Sequence, residues 1–165
     1  RALVVSRAEK VELNSWLAER APDTDVLLVP PTREWPDTVL KSRDHWFTRN
    51  LLLLPDTEFS PGDALTVCAR ALEHHSLSFG LFSPPDLQNW GVVSLDQLVI
   101  ADKPKQWNTE ARAWGLIGFT DAMGEALFKS ILKSYFEKTW EPLPDARSKI
   151  FTFALEHFED FTRTK

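Results

Sequence analysis

The side chains best placed for chemistry in this sequence are carboxylates and a lysine that follow apolar runs. In Asn50 to Leu65, NLLLLPDTEFSPGDAL, four leucines lead through Pro55 to Asp56. A carboxylate just beyond the carboxyl end of a strand faces the crevice where α/β sheets bind ligands. A hard cation such as Mg²⁺ takes one or two such carboxylates and completes its shell with water and substrate phosphates. The same Pro-Asp pair also suits a plain turn, so both readings of Asp56 stand at this point. A second run ends in Asp102-Lys103-Pro104, where a lysine can act as a point charge for a phosphate or simply be solvated. Gly91, Gly115 and Gly118 fall inside apolar runs, which marks close approach of a ligand or backbone, or a bulge. His74-His75 fits the carboxyl-terminal, negative end of a helix dipole better than a metal site. Trp90, Trp107 and Trp114 have the faces to stack on a sugar or base, although most tryptophans pack cores. No zinc spacing, nucleophile elbow, G-x-x-x-x-G-K-S/T loop or G-x-G-x-x-G is present.

The elements that must hold these groups follow from periodicity. Leu3 to Val5, DVLLV at 25–29, Leu51 to Leu54 and LSFGLF at 77–82 read as strands. Helices are predicted between them. The first covers Glu9 to Arg20 with an apolar stripe of Val11, Leu13, Trp16 and Leu17. The second covers Asp37 to Trp46. The third runs from a Ser60-Pro61 start to about His75. This βαβαβαβ rhythm predicts an α/β fold, a Rossmann-like, mostly parallel sheet flanked by helices. The all-leucine third strand predicts cover on both faces. Beyond Ser83 the rhythm becomes a hairpin, 90–96 with 97–104, then a strand at 113–119 and a helix from Asp121 to Glu137. Lys138 to Ser148, with Pro142 and Pro144, reads as a flexible loop, and the tail offers one or two more strands.

Composition narrows the partners. The chain has 165 residues, 43% apolar and 26% charged, which predicts a single globular domain over 1–165. A net charge of −5 without a dense Lys/Arg block argues against nucleic acid, and no apolar run is long enough for a membrane span. The lone Cys68 excludes an intrachain disulfide and suits a reducing cytoplasm; its apolar neighbours predict a buried thiol. The chain enters a strand almost at Arg1, so an upstream piece is expected.

In order, these features resemble the sugar-1-phosphate nucleotidyltransferases of the glucose-1-phosphate thymidylyl- and uridylyltransferase type. LLLLPDTEF is similar to their strand ending in a metal-binding aspartate. Trp90-Gly91-Val92-Val93 resembles their Y-G-V-V, Asp102-Lys103-Pro104 their glutamate-lysine-proline element, and Trp114-Gly115 a later strand. The likeness covers about Ala2 to Phe128. It implies that Asp56 holds Mg²⁺ and Lys103 contacts the sugar phosphate, the two acting as catalytic groups. Asp102, Trp114 and the backbone at Gly91 and Gly115 would line the sugar pocket. Asp160 is the counterpart of a second metal carboxylate. The partners implied are a nucleoside triphosphate and a sugar phosphate, with a homo-oligomer left open. Two elements depart from the family. Its glycine-rich G-x-G-x-R-L loop with the lysine that follows is not found, a difference on the order of 30 residues. Trp35-Pro36-Asp37-Thr38 stands where the base-reading segment belongs. The alternatives are an omitted N-terminal piece, or a degenerate, non-catalytic relative that binds a sugar nucleotide or a protein partner.

Overall fold

The computed structural model describes residues 2–54, 57–106 and 110–160, with 157–160 described by their backbone alone. The chain divides into two compact units, its first 46 residues and the remainder from Phe47. In the first unit, β1 (Leu3–Ser6) and β2 (Asp25–Leu28) pair in parallel, joined by α1 (Val11–Arg20), and α2 (Trp35–Lys41) follows. The ladder extends one step beyond β2, where the Val29 N–H donates to the Ser6 carbonyl at 2.8 Å. The stripe predicted on α1 buries Leu17 alone; Val11 is 65% and Trp16 56% exposed. Val26 and Leu28 of β2 are exposed as well, because only one face of a two-stranded ladder is covered within this unit.

The second unit is built on β8 (Arg112–Thr120), a nine-residue strand buried from Ala113 to Phe119. One edge of β8 pairs antiparallel with β5 (Leu77–Phe82), and β5 pairs in parallel with β10 (Ile150–Ala154). β8 also pairs with β6 (Gly91–Ser94) at Ala113 and Arg112, and with β3 (Arg49–Leu52) from Ile117 to Thr120. β6 continues into β7 (Val99–Asp102), and β7 into β9 (Glu141–Pro142). Among the described residues these seven strands form one sheet, and β4 (Thr57–Ser60) with β11 (His157–Asp160) forms a separate antiparallel pair.

The α/β class with flanking helices is what the structure shows. Strand direction is mixed where a mostly parallel sheet was predicted: β1–β2 and β10–β5 are parallel, and β8 receives its neighbours antiparallel. β3 stops at Leu52 and Leu53 is 40% exposed, so the leucine run is not covered on both faces.

Ser60 does not start a helix. It closes β4 and accepts from the Glu156 N–H at 3.0 Å, and α3 (Ala64–Ala71) begins after Asp63. Pairing with β11 has claimed a residue whose local chemistry favours capping. α3 buries Ala64, Cys68 and Ala71, and packs against Leu116, Leu155 and Phe59. Gly118 is what lets it approach: a β-carbon there would meet the Cys68 sulfur at 2.7 Å. Burial pushes the Cys68 thiol from 9.0 up to about 11, against a weaker opposing contact from Ser78. His74 and His75 lie in the turn after α3, with the His75 ring 5.6 Å from that of Phe151.

α4 (Asp121–Glu137) matches its predicted span. Thr120 is extended at the N-cap, Asp121 lies in the first turn, and Lys138 closes the helix in the left-handed region. Its buried face carries Leu127, Phe128 and Ile131, with Phe128 set edge-on to Phe119 at 5.0 Å. The stretch predicted as a flexible loop is anchored. β9 extends the sheet, Leu143 N–H donates to the Leu98 carbonyl at 2.8 Å, and Glu141 pairs with Lys133 at 2.8 Å. Burial raises the Glu141 carboxyl, but donors from Lys133 and Thr139 outweigh it and hold the group below its usual value.

Candidate functional site

The carboxyl ends of the parallel pair β5 and β10 open onto a cavity of about 720 Å³. The parallel-strand rule predicts a ligand at such a place. Phe82, Trp90 and Phe153 supply aromatic lining; Arg112, Glu156 and Thr152 supply the polar groups. Trp90 is held edge-on to Phe82 with centroids 5.0 Å apart. Arg112 anchors itself through an N–H donated to the Ala111 carbonyl at 3.2 Å. A pocket with aromatic walls and a few charged groups is the usual form of a small-molecule site. Arg112 and Glu156 drew no attention in the sequence, since neither lies in a motif. The signal available was positional: both are brought to the strand ends where the rule expects a ligand.

Lys103 is joined to this cavity by backbone. It adopts a positive φ of 53° just beyond β7, and its N–H donates to the carbonyl of the cavity residue Trp90 at 3.0 Å. Left-handed backbone is unfavourable for lysine and more so before proline, so the surroundings hold it there. Such local strain collects at functional positions. The side chain is exposed, with Nζ 5.8 Å from the Tyr135 ring centroid.

Asp102 is the register partner of Gly91 across the β6–β7 ladder. It is 2% exposed, and its N–H donates to the Ser134 hydroxyl at 3.0 Å. Gly91 faces an indole. A β-carbon on Gly91 would meet Trp114 ring atoms at 2.3 Å, and Trp114 itself is 6% exposed. The close approach that this glycine permits is therefore that of Trp114, and a ligand reaching Gly91 on that face must displace the ring. Gly115 marks a bulge. Gly80 pairs with Leu116 and Leu81 with Trp114, so Gly115 is the extra residue that β8 inserts opposite β5.

Asp56 lies outside the described residues, as does Trp107. The chain on either side of the Pro55-Asp56 step is pinned by the Thr57 hydroxyl, which donates to the Leu54 carbonyl at 2.8 Å. In the β4–β11 ladder the partner of Thr57 is Asp160. Asp160, one of the acids that the resemblance assigned to metal, is thus paired with the residue that follows Asp56 in the chain. At the other end of the same ladder are Ser60 and His157, beside the cavity residue Glu156. The two ends are about 10 Å apart, three strand steps of about 3.3 Å each. Among the described residues, no group of three or more His, Cys, Asp or Glu side chains is disposed to hold a metal. No described helix is long and apolar enough to cross a membrane.

The fold is shared with proteins of known structure. A Bacillus anthracis protein assigned as a glucose-1-phosphate thymidylyltransferase, crystallised with sucrose, superposes with a TM-score of 0.70 at 13% identity, over 96% of this chain and 69% of its own. HddC from Yersinia pseudotuberculosis superposes with a TM-score of 0.62 at 13% identity, over 96% of this chain and 71% of its own. By sequence, no family description and no curated protein matches. At this identity the likeness is one of fold, and the chemistry must be argued from the site.

Proposed function

We propose that this chain is a nucleotidyltransferase-type domain that joins a nucleoside triphosphate to a sugar 1-phosphate and releases pyrophosphate. The observation that carries the reading is the register of Asp160 with Thr57, next to Asp56, in a chain of this fold. In the reaction a phosphate oxygen of the sugar phosphate forms a bond to the α-phosphorus. The bond from that phosphorus to the bridging oxygen breaks, and its electron pair leaves with pyrophosphate. No protein nucleophile is needed, so the residues act by positioning and by neutralising charge.

Asp56 and Asp160 are hard oxygen donors of the kind Mg²⁺ prefers, and they would hold it. When bound, the ion offsets negative charge on the triphosphate. Arg112 supplies a cation of the cavity lining, Lys103 a second cation tied by its backbone to Trp90, and Trp90 gives a flat apolar wall for a sugar ring. The pocket's sugar end is assigned to Trp90, Arg112 and Lys103. Asp102, Trp114, Gly91 and Gly115 form the layer behind them, supporting the β6–β7 ladder and the β8 bulge. A cytoplasmic location is part of the proposal, consistent with one buried thiol.

A second reading, a relative that binds a sugar nucleotide without turning it over, is favoured by one observation: the Trp114 indole fills the space beside Gly91. One experiment separates the two. The protein is incubated with Mg²⁺, each nucleoside triphosphate and a panel of sugar 1-phosphates, and pyrophosphate release is followed. Release by at least one pair, falling about a hundredfold or more in Asp56→Asn with the fold intact, supports transfer. Binding of a nucleotide sugar without release by any pair supports the second reading. Undiminished release by Asp56→Asn overturns the metal assignment.

A further inference from the structure

The first unit has a cavity of its own. It measures about 370 Å³ and lies at the carboxyl ends of β1 and β2. Two loops build it. One leaves β1 at Ser6 and enters α1 through Arg7 and Lys10; the other follows β2 and brings Thr32 and Arg33 toward α2. Three of its lining residues are cations, Arg7, Lys10 and Arg33, against the single carboxylate of Glu34. Arg7 also pairs with Glu9 at 3.6 Å, but both side chains are exposed and such pairs hold weakly in water. Trp35 and Leu13 provide the apolar lining.

Three further features point to an anion. Ser6 is 6% exposed, and its hydroxyl oxygen is buried without a hydrogen-bond partner. A buried hydroxyl left unsatisfied costs free energy unless a ligand or water meets it. The ten-residue helix α1 begins at the same place, with Lys10 at its N-cap and no side chain capping it. Its first N–H groups lack helical acceptors and carry partial positive charge. The hydroxyls of Thr32 and Thr38 bond to each other at 2.5 Å and fix the opposite wall. A negative group with several acceptor oxygens would answer the buried hydroxyl and the cations together, which describes a phosphate better than a carboxylate.

We propose that Ser6, Arg7, Lys10 and Arg33 form a binding site for the phosphate or diphosphate group of a small molecule. The site lies within the first 46 residues and would bind its ligand whether or not the second unit transfers nucleotides.

The test is a titration of the full ¹⁵N-labelled chain with sodium pyrophosphate, with orthophosphate and ribose 5-phosphate in parallel, and with sodium chloride at matched ionic strength as control. Saturable shifts at the amides of Ser6, Arg7, Lys10 and Arg33, absent with chloride, are expected. Tighter binding of ribose 5-phosphate than of both inorganic anions would assign the site to an organic phosphate; the reverse would assign it to the free anion. Lys10 is exposed, so Lys10→Glu should leave the fold and spectrum largely intact while weakening binding about tenfold or more. Ser6→Ala, which removes a group that has no protein partner, should weaken it about threefold or more. Shifts that never saturate, that chloride reproduces, or that are unchanged in Lys10→Glu would overturn the proposal.

Discussion

Substitution of Gly91 by alanine offers the most direct test of the packing behind the cavity. The added methyl carbon would lie 2.3 Å from two carbons of the Trp114 ring and 2.4 Å from its nitrogen. Carbon atoms reach optimal contact only at about 3.5–4.0 Å, so the indole must retreat by more than about 1 Å. With 6% of Trp114 exposed, retreat presses the ring into neighbours that are already packed. Overpacking of this kind costs about 1–3 kcal/mol, and a rigid double ring belongs at the upper end. For a chain of this length, about 3 kcal/mol lowers the melting temperature by about 6–12 °C. Urea and thermal unfolding of Gly91→Ala, Trp114→Ala and the double variant should reveal strong coupling. Trp114→Ala alone should cost about 3–5 kcal/mol through the cavity it leaves. In that background the alanine at 91 should cost less than about 0.5 kcal/mol, because its methyl group enters vacated space. Costs that add within about 0.5 kcal/mol, or an unchanged melting temperature for Gly91→Ala, would refute the reasoning.

Three other outcomes follow from local chemistry. The Cys68 thiol, raised to about 11, stays protonated in the fold while the unfolded chain ionises near its ordinary value. Stability should therefore hold steady below about pH 9 and fall toward pH 11, a slope that Cys68→Ala removes; iodoacetamide should label this thiol only on unfolding. The depressed Glu141 carboxyl contributes stability that is fully present above its unfolded value and lost as pH falls through its folded value. Between about pH 7 and pH 3 the melting temperature of Glu141→Gln should then decline less steeply than that of the parent, and equal slopes would contradict the assignment. Lys103→Gly relieves the positive φ of 53° at some cost in chain entropy, so its stability should stay within about 1 kcal/mol of the parent. Pyrophosphate release, if Lys103 contacts the sugar phosphate, should drop sharply in the same variant, and Lys103→Arg should restore part of it.

Much of the second unit was legible in the sequence because its signals are local. α4 spans the residues its apolar spacing and terminal chemistry select, and β5, β8 and the β6–β7 hairpin fall where apolar runs meet turn residues. The sequence also nominated Asp56, Asp102 and Lys103 as polar residues that end apolar runs, and Asp56 lies outside the described residues. Strand direction was not, because a pattern of alternating strands and helices carries no record of which strands become neighbours; β8 receives β3, β5 and β6 antiparallel. Nor could local chemistry tell that Ser60 would end a strand, since its partner Glu156 is remote in sequence and their hydrogen bond forms only in the folded chain.

The site divides in the same way. Residue type and position along the chain nominated Asp56, Gly91, Asp102, Lys103, Trp114 and Gly115 before any coordinate, and the family resemblance added Asp160. That Trp114 occupies the open side of Gly91, that Gly115 is a bulge, and that Asp160 pairs with Thr57 were decided by strand register. Arg112 and Glu156 became candidates only when β5 and β10 were seen to end at one cavity. The sequence by itself determined which chemical groups exist and which local segments are helix or strand, because propensity and periodicity act over a few residues. Tertiary structure alone decided which groups meet, because register and pairing are set by the mutual burial of segments that the sequence keeps apart.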